Sequence, residues 1–202
     1  MNTDRRSLLK AMTLGSLATI AAGHSGFALA RSAATTSVST VPTLALVGAA
    51  VADSGFLRGI AASPAASVVR AKHAGLGVDF ILELEQRLQS GQSQRVIGLT
   101  DDASATLIVD LARSAGARVH WVSLHNVSAE SARHHLVPGP GGTATTAQLQ
   151  RELDAFEAAQ GDWSALLGYR LAAWTATADA APRFATRTPA LTGQFVSFSI
   201  EA

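Results

Sequence analysis

The chain has 202 residues, of which 48% are hydrophobic, 15% charged and 5% aromatic; it carries a net charge of +1 and no cysteine. That length accommodates one ordinary domain able to bury its own core. The lack of cysteine excludes disulfides, c-type haem attachment, cysteine-ligated iron–sulfur clusters and a cysteine nucleophile.

The chain opens with Asp4-Arg5-Arg6-Ser7-Leu8-Leu9-Lys10: paired arginines, one unconstrained position, two apolar residues and a lysine. A mildly apolar stretch over 11–22, interrupted by Gly15 and Ser16, precedes Ala28-Leu29-Ala30, a small-residue site suited to signal peptidase. This segment resembles a twin-arginine (Tat) signal peptide. The resemblance covers residues 1–30 alone. It implies passage of a folded protein through the Tat translocase of a bacterium into the periplasm, with cleavage after Ala30, and says nothing about activity. An ordinary helix start and the flank of a membrane anchor are the competing readings. The run is too short and too rich in Gly, Ser and Thr for a span, which takes about 20 strongly apolar residues. Removing residues 1–30 takes away Arg5, Arg6, Lys10 and Asp4 and leaves 13 basic against 14 acidic side chains. Such a balance argues against nucleic acid or an anionic membrane as the main partner. Residues 31–41, rich in Ser, Thr and Ala, read as a flexible leader, and 42–202 as a single α/β domain.

Within that domain, residues 43–51 (TLALVGAAV) form an apolar run bounded by Pro42 and Asp53, as a strand buried on both faces does. Over 79–89 the period changes: Phe80, Ile81, Leu84 and Leu88 share one helical face while Glu83 and Arg87 pair on another. A second strand is expected over 95–99 (RVIGL). Thr100-Asp101-Asp102 then offers a helix N-cap, and Leu107, Ile108, Leu111, Ala112 and Ala115 make the apolar stripe of the next helix. Gly116 sits where a left-handed C-terminal cap belongs, and residues 118–124 (RVHWVSL) begin another strand. This strand–helix–strand unit predicts parallel strands and a right-handed crossover, hence a three-layer, doubly wound, mostly parallel sheet.

After the loop 138–142 (PGPGG), Thr145 with Gln148 reads as a capping box opening a helix that carries Leu149, Leu153 and Phe156. Asp162 caps a second helix whose core side holds Trp163, Leu166, Leu167, Leu171 and Trp174, and Pro182 lies beyond its end. The pattern therefore ends in a C-terminal helical pair and, over 194–200 (QFVSFSI), an alternating segment expected as an edge strand with one face in water.

In open α/β sheets ligands bind outside the carboxyl ends of the strands, which places Asp53, Asp101, Asp102 and His125 on the functional rim. Asp101 and Asp102 could serve as acid and base or bind a cation; equally, one caps the helix that follows and the other complements its dipole. His120, His125, His134 and His135 lie within sixteen residues. Odd spacing sends His120 and His125 to opposite faces of one strand, and His134 and His135 diverge too, so only a loop returning His125 toward one of that pair would assemble a metal site. No metal site is assigned.

Between Asp53 and Asp79 lie Arg58, Arg70, Lys72 and His73 with no acidic residue, among four glycines. The segment reads either as a mobile lid over an anionic ligand or as a short helix with solvated charges. No nucleophile elbow, dinucleotide turn or phosphate loop is present, and the cofactor stays unknown. Two functions stay open: an accessory or binding subunit associated with an exported redox enzyme, or a small-molecule hydrolase or lyase. The second would use Asp101, Asp102 and His125, with Arg58 or Arg70 steering an anionic substrate.

Overall fold

The computed structural model describes residues 41–140, 142–174, 182, 184 and 191–202. Arg5, Arg6 and the cleavage site after Ala30 lie outside them. The described residues contain six strands and five α-helices: β1 (Thr43–Val47), α1 (Phe56–Ala62), β2 (Val69–His73), α2 (Val78–Leu88), β3 (Arg95–Thr100), α3 (Asp102–Ser114), β4 (Arg118–Val127), β5 (Ala132–Pro138), α4 (Thr143–Ala158), α5 (Trp163–Ala172) and β6 (Gly193–Glu201). The strands form one mixed sheet in the order β2-β1-β3-β6-β4-β5, which makes the domain α/β.

The parallel part is β1 with its neighbours β2 and β3. In the other half, β6 runs antiparallel to both β3 and β4, and β5 antiparallel to β4. A mostly parallel sheet was the expectation, and β6 and β5 are what change it. The strands joined by α3 do run the same way, but β6 occupies the slot between them. β6 is therefore an interior strand and not an edge. Its alternation misleads because Ser197 and Ser199 are fully buried beside Phe198 and Ile200. The serines give one face of β6 small side chains, and Val196, Phe198 and Ile200 give the other face its core.

Helices cover both faces. Ala45, Val47, Ile97 and Leu99 pack toward α1 and α5, and Leu136 and Trp121 share that core with α4. Leu44, Leu46, Val96 and Phe198 pack against Leu84 and Leu88 of α2 and Ile108 and Ala112 of α3. The shape of α3 is the one its pattern predicts: Asp101 caps it, and Gly116 beyond its end has φ +78°.

Other boundaries move. β1 stops at Val47, and residues 49–51 make a 3-10 turn. α4 starts at Thr143 with Gly142 at its N-cap, so Thr145 lies inside the helix; Thr146 Oγ1 donates to the Gly142 carbonyl at 2.6 Å. The stretch between Asp53 and Asp79 holds more than the one short helix expected there. It contains α1, which crosses α5 closely, and β2, one edge of the sheet. Every residue of α5 except Arg170 is buried. Arg95, buried under that helix, donates to the Ala172 carbonyl at 2.9 Å and places a cation at its C-terminus.

Candidate functional site

β4 and β5 form a hairpin whose register sets His125 directly opposite His134. The two Nδ1 atoms face each other at 2.8 Å, and His125 Nε2 lies 2.6 Å from Ser197 Oγ on β6. Asp162 positions the lid over this group. Its Oδ1 accepts from Ala165 N–H and Ser164 Oγ, starting α5 so that Trp163 lies on the imidazoles. The indole stacks on His125 with centroids 4.9 Å apart and planes 25° apart, and it meets His134 at the same centroid distance. His125 and Ser197 have no exposed surface.

Burial keeps both imidazoles neutral. It pushes His134 down to about 4 against the opposing pull of Glu157 and Asp154. It holds His125 well below the ordinary histidine range, with the neighbouring His134 adding to the effect. Two neutral rings meeting Nδ1 to Nδ1 need one donor and one acceptor. If His125 donates from Nδ1, its Nε2 accepts from the Ser197 hydroxyl; if His134 donates, His125 Nε2–H donates to Ser197 Oγ. The cluster is thus a chain along which a proton position can reverse. A serine hydroxyl on an imidazole resembles a nucleophile with its base, but Ser197 has no exposed surface.

His125 was expected on the rim after its strand; it lies within β4 instead, and the hairpin supplies the return toward His134 that the spacing left open. His135 points away, exposed, and His120, beside the β-bulge between Val119 and Trp121, pairs with Glu201 at 3.0 Å. Among the described residues no group of three or more His, Asp or Glu side chains could hold a metal ion. Asp101 accepts from Ser104 N–H on Oδ1 and from Ser104 Oγ on Oδ2, both at 2.9 Å, and the Ser104 amide above all holds its carboxyl below the usual range. Asp102 is exposed in the first turn of α3, and Asp53 is exposed in the turn before α1. α3 packs on the face opposite Trp163, so the sheet separates this carboxylate pair from the His125 ring.

Arg58 on α1 is bonded to Asp162 Oδ2 at 2.7 Å, and Arg70 lies exposed on β2. The candidates therefore occupy separate places. Ser197 and Trp163 join His125 although sequence spacing does not link them; only the alternation of β6 and the cap at Asp162 hint at their orientation. At the carboxyl end of β4, an open cleft of about 400 Å³ is lined by Asn126, Ser128, Ser131, Arg133 and Gln194. Compared with family models, with curated proteins and with solved structures, the chain has no significant match.

Proposed function

We propose that this protein is a non-catalytic binding or accessory subunit, exported folded through the Tat translocase and working in the periplasm beside an exported redox enzyme. The observation that carries the reading is the engagement of the reactive side chains: Ser197 and His125 have no exposed surface, His125 is stacked against Trp163, and both Asp101 oxygens are taken by Ser104. The alternative, a hydrolase or lyase acting on an anionic substrate, asks Asp101, Asp102 and His125 to share one opening. Their positions on two faces of the sheet favour it less. We read the architecture as a three-layer, doubly wound fold with a C-terminal helical pair. The helices on both faces of the sheet and the succession of α4 and α5 support that reading. No helix among the described residues is long and apolar enough to cross a membrane.

Native mass spectrometry of periplasmic material tests the role. A stoichiometric protein partner is the expected result, and a lone monomer that turns over a substrate would reject it. Replacing Arg5 and Arg6 with lysine tests the address: the precursor should accumulate in the cytoplasm, and unchanged export would remove Tat from the account.

A further inference from the structure

The two edges of the sheet are finished differently. On β5, side chains of α4 occupy the outward backbone groups: Glu157 Oε1 accepts from Ala132 N–H at 2.8 Å, and Gln150 accepts from Leu136 N–H at 3.0 Å while donating to the His134 carbonyl at 2.8 Å. A glutamine amide stands where the next strand would lie. Among the described residues, β2 has no such cover. Ala74 N–H donates to the Val47 carbonyl, so the ladder's alternation turns the amides and carbonyls of Ala71 and His73 outward, and no hydrogen bond from a described residue reaches them. Lysine on an edge strand ordinarily guards it. Here Lys72 is drawn back onto α2, bonded to Glu83 and lying 5.9 Å from the centre of the Phe80 ring. Arg70 and His73 remain exposed, in a stretch with no acidic residue from 54 to 78.

We propose that the β2 edge is a docking strand for an extended, acidic segment of a partner protein, which adds as a further strand through Ala71 and His73 and sets a carboxylate against Arg70. This rests on the reading of the protein as a binding or accessory subunit. Strand addition draws affinity from main-chain bonds and specificity from the flanking side chains. A second copy of the chain fits poorly: in antiparallel self-pairing centred on Ala71 the exposed Arg70 of each copy meets no carboxylate, because residues 54–78 contain no acidic side chain.

The test titrates the purified chain with a capped heptapeptide alternating valine and glutamate, and with its lysine counterpart, while following hydrogen exchange at Ala71 and His73. The acidic peptide should bind and slow both amides, and the lysine peptide should not. Ala71→Pro, tolerated because that N–H points outward, should weaken binding by about tenfold or more, and Arg70→Glu should transfer the preference to the lysine peptide. Equal binding of both peptides, binding indifferent to both variants, or self-association protecting the same amides overturns the proposal. A native partner that stays bound to Ala71→Pro would also overturn it while leaving the accessory reading intact. Peptide binding at this edge in a chain that is monomeric in the periplasm would do the reverse.

Discussion

His125 and His134 meet Nδ1 to Nδ1 at 2.8 Å across the β4–β5 hairpin, so the protein keeps two facing imidazoles where neither can readily take up a proton. In the unfolded chain a histidine titrates near pH 6.5. Between that pH and about 4, where the folded His134 titrates, the unfolded state binds more protons. Stability should therefore be complete above about pH 6.5 and be lost as the pH falls toward 4, by up to about 1.4 kcal/mol per pH unit for each histidine. Asp101 and Glu83, both held below their ordinary carboxyl range, act only at lower pH. Urea titrations at stepped pH should show this slope, and His134→Gln should flatten it. An imidazolium stacked on Trp163 would quench the indole, so fluorescence should fall over the lower part of the same window. A wild-type slope equal to that of the variant would refute the account.

α1 and α5 touch through backbone. A Cβ at Gly168 would overlap the Phe56 carbonyl, and one at Gly59 would overlap the Ala165 carbonyl. Backbone cannot swing aside as a side chain can. Gly168→Ala should therefore cost about 3 kcal/mol, the upper end for overpacking, and lower the melting temperature by about 6–12 °C in a domain of this size. Thermal unfolding of Gly59→Ala and Gly168→Ala decides it, and a shift under about 2 °C for both would show that the helices slide apart at little cost.

The same glycine shows where the sequence misleads. Gly59 lies among four glycines that suggest mobility, yet it serves a helix crossing 106 residues away along the chain, at Ala165. Local pattern reveals α2, α3 and α5 because each has a strong apolar stripe and a recognisable start or stop, as Asp101, Gly116 and Asp162 show. β5 stays hidden because its inward positions are Ala132, His134 and Leu136, an alternation that two adjacent histidines disguise. β6 looks like an edge because buried serines resemble wetted ones. For the candidate site, His125 is visible as a residue but not as a buried one; burial comes from Trp163 and Ser197, which arrive from elements 38 and 72 residues further on.

Asp101 lends itself to a clean separation of roles. If its work is to cap α3, Asp101→Ala should lower stability by about 1 kcal/mol, and Asp101→Ser should restore most of it, because a serine hydroxyl also accepts from the amide two or three residues on. Denaturant midpoints for the three chains measure this directly. A Ser variant as unstable as the Ala variant would show that the charge, rather than the acceptor, matters.

Asp162 joins three jobs in one buried carboxylate: it caps α5, holds Ser164, and receives Arg58. The jobs differ in their demands. Asn keeps the cap acceptor but loses the charge and turns an amide N–H toward Arg58, whose side chain is 47% exposed and can move into water, so Asp162→Asn should cost about 1–2 kcal/mol. Asp162→Ala removes the acceptor for Ala165 N–H and Ser164 Oγ as well, inside the protein, where leaving a donor unpaired costs about 1–3 kcal/mol. It should also loosen the first turn of α5 and with it Trp163, so that the indole emission shifts to the red and becomes open to iodide quenching. Asp162→Ala with native emission and near-native stability would mean that the helix start is fixed by packing alone, and that Trp163 stays over the histidines without its cap.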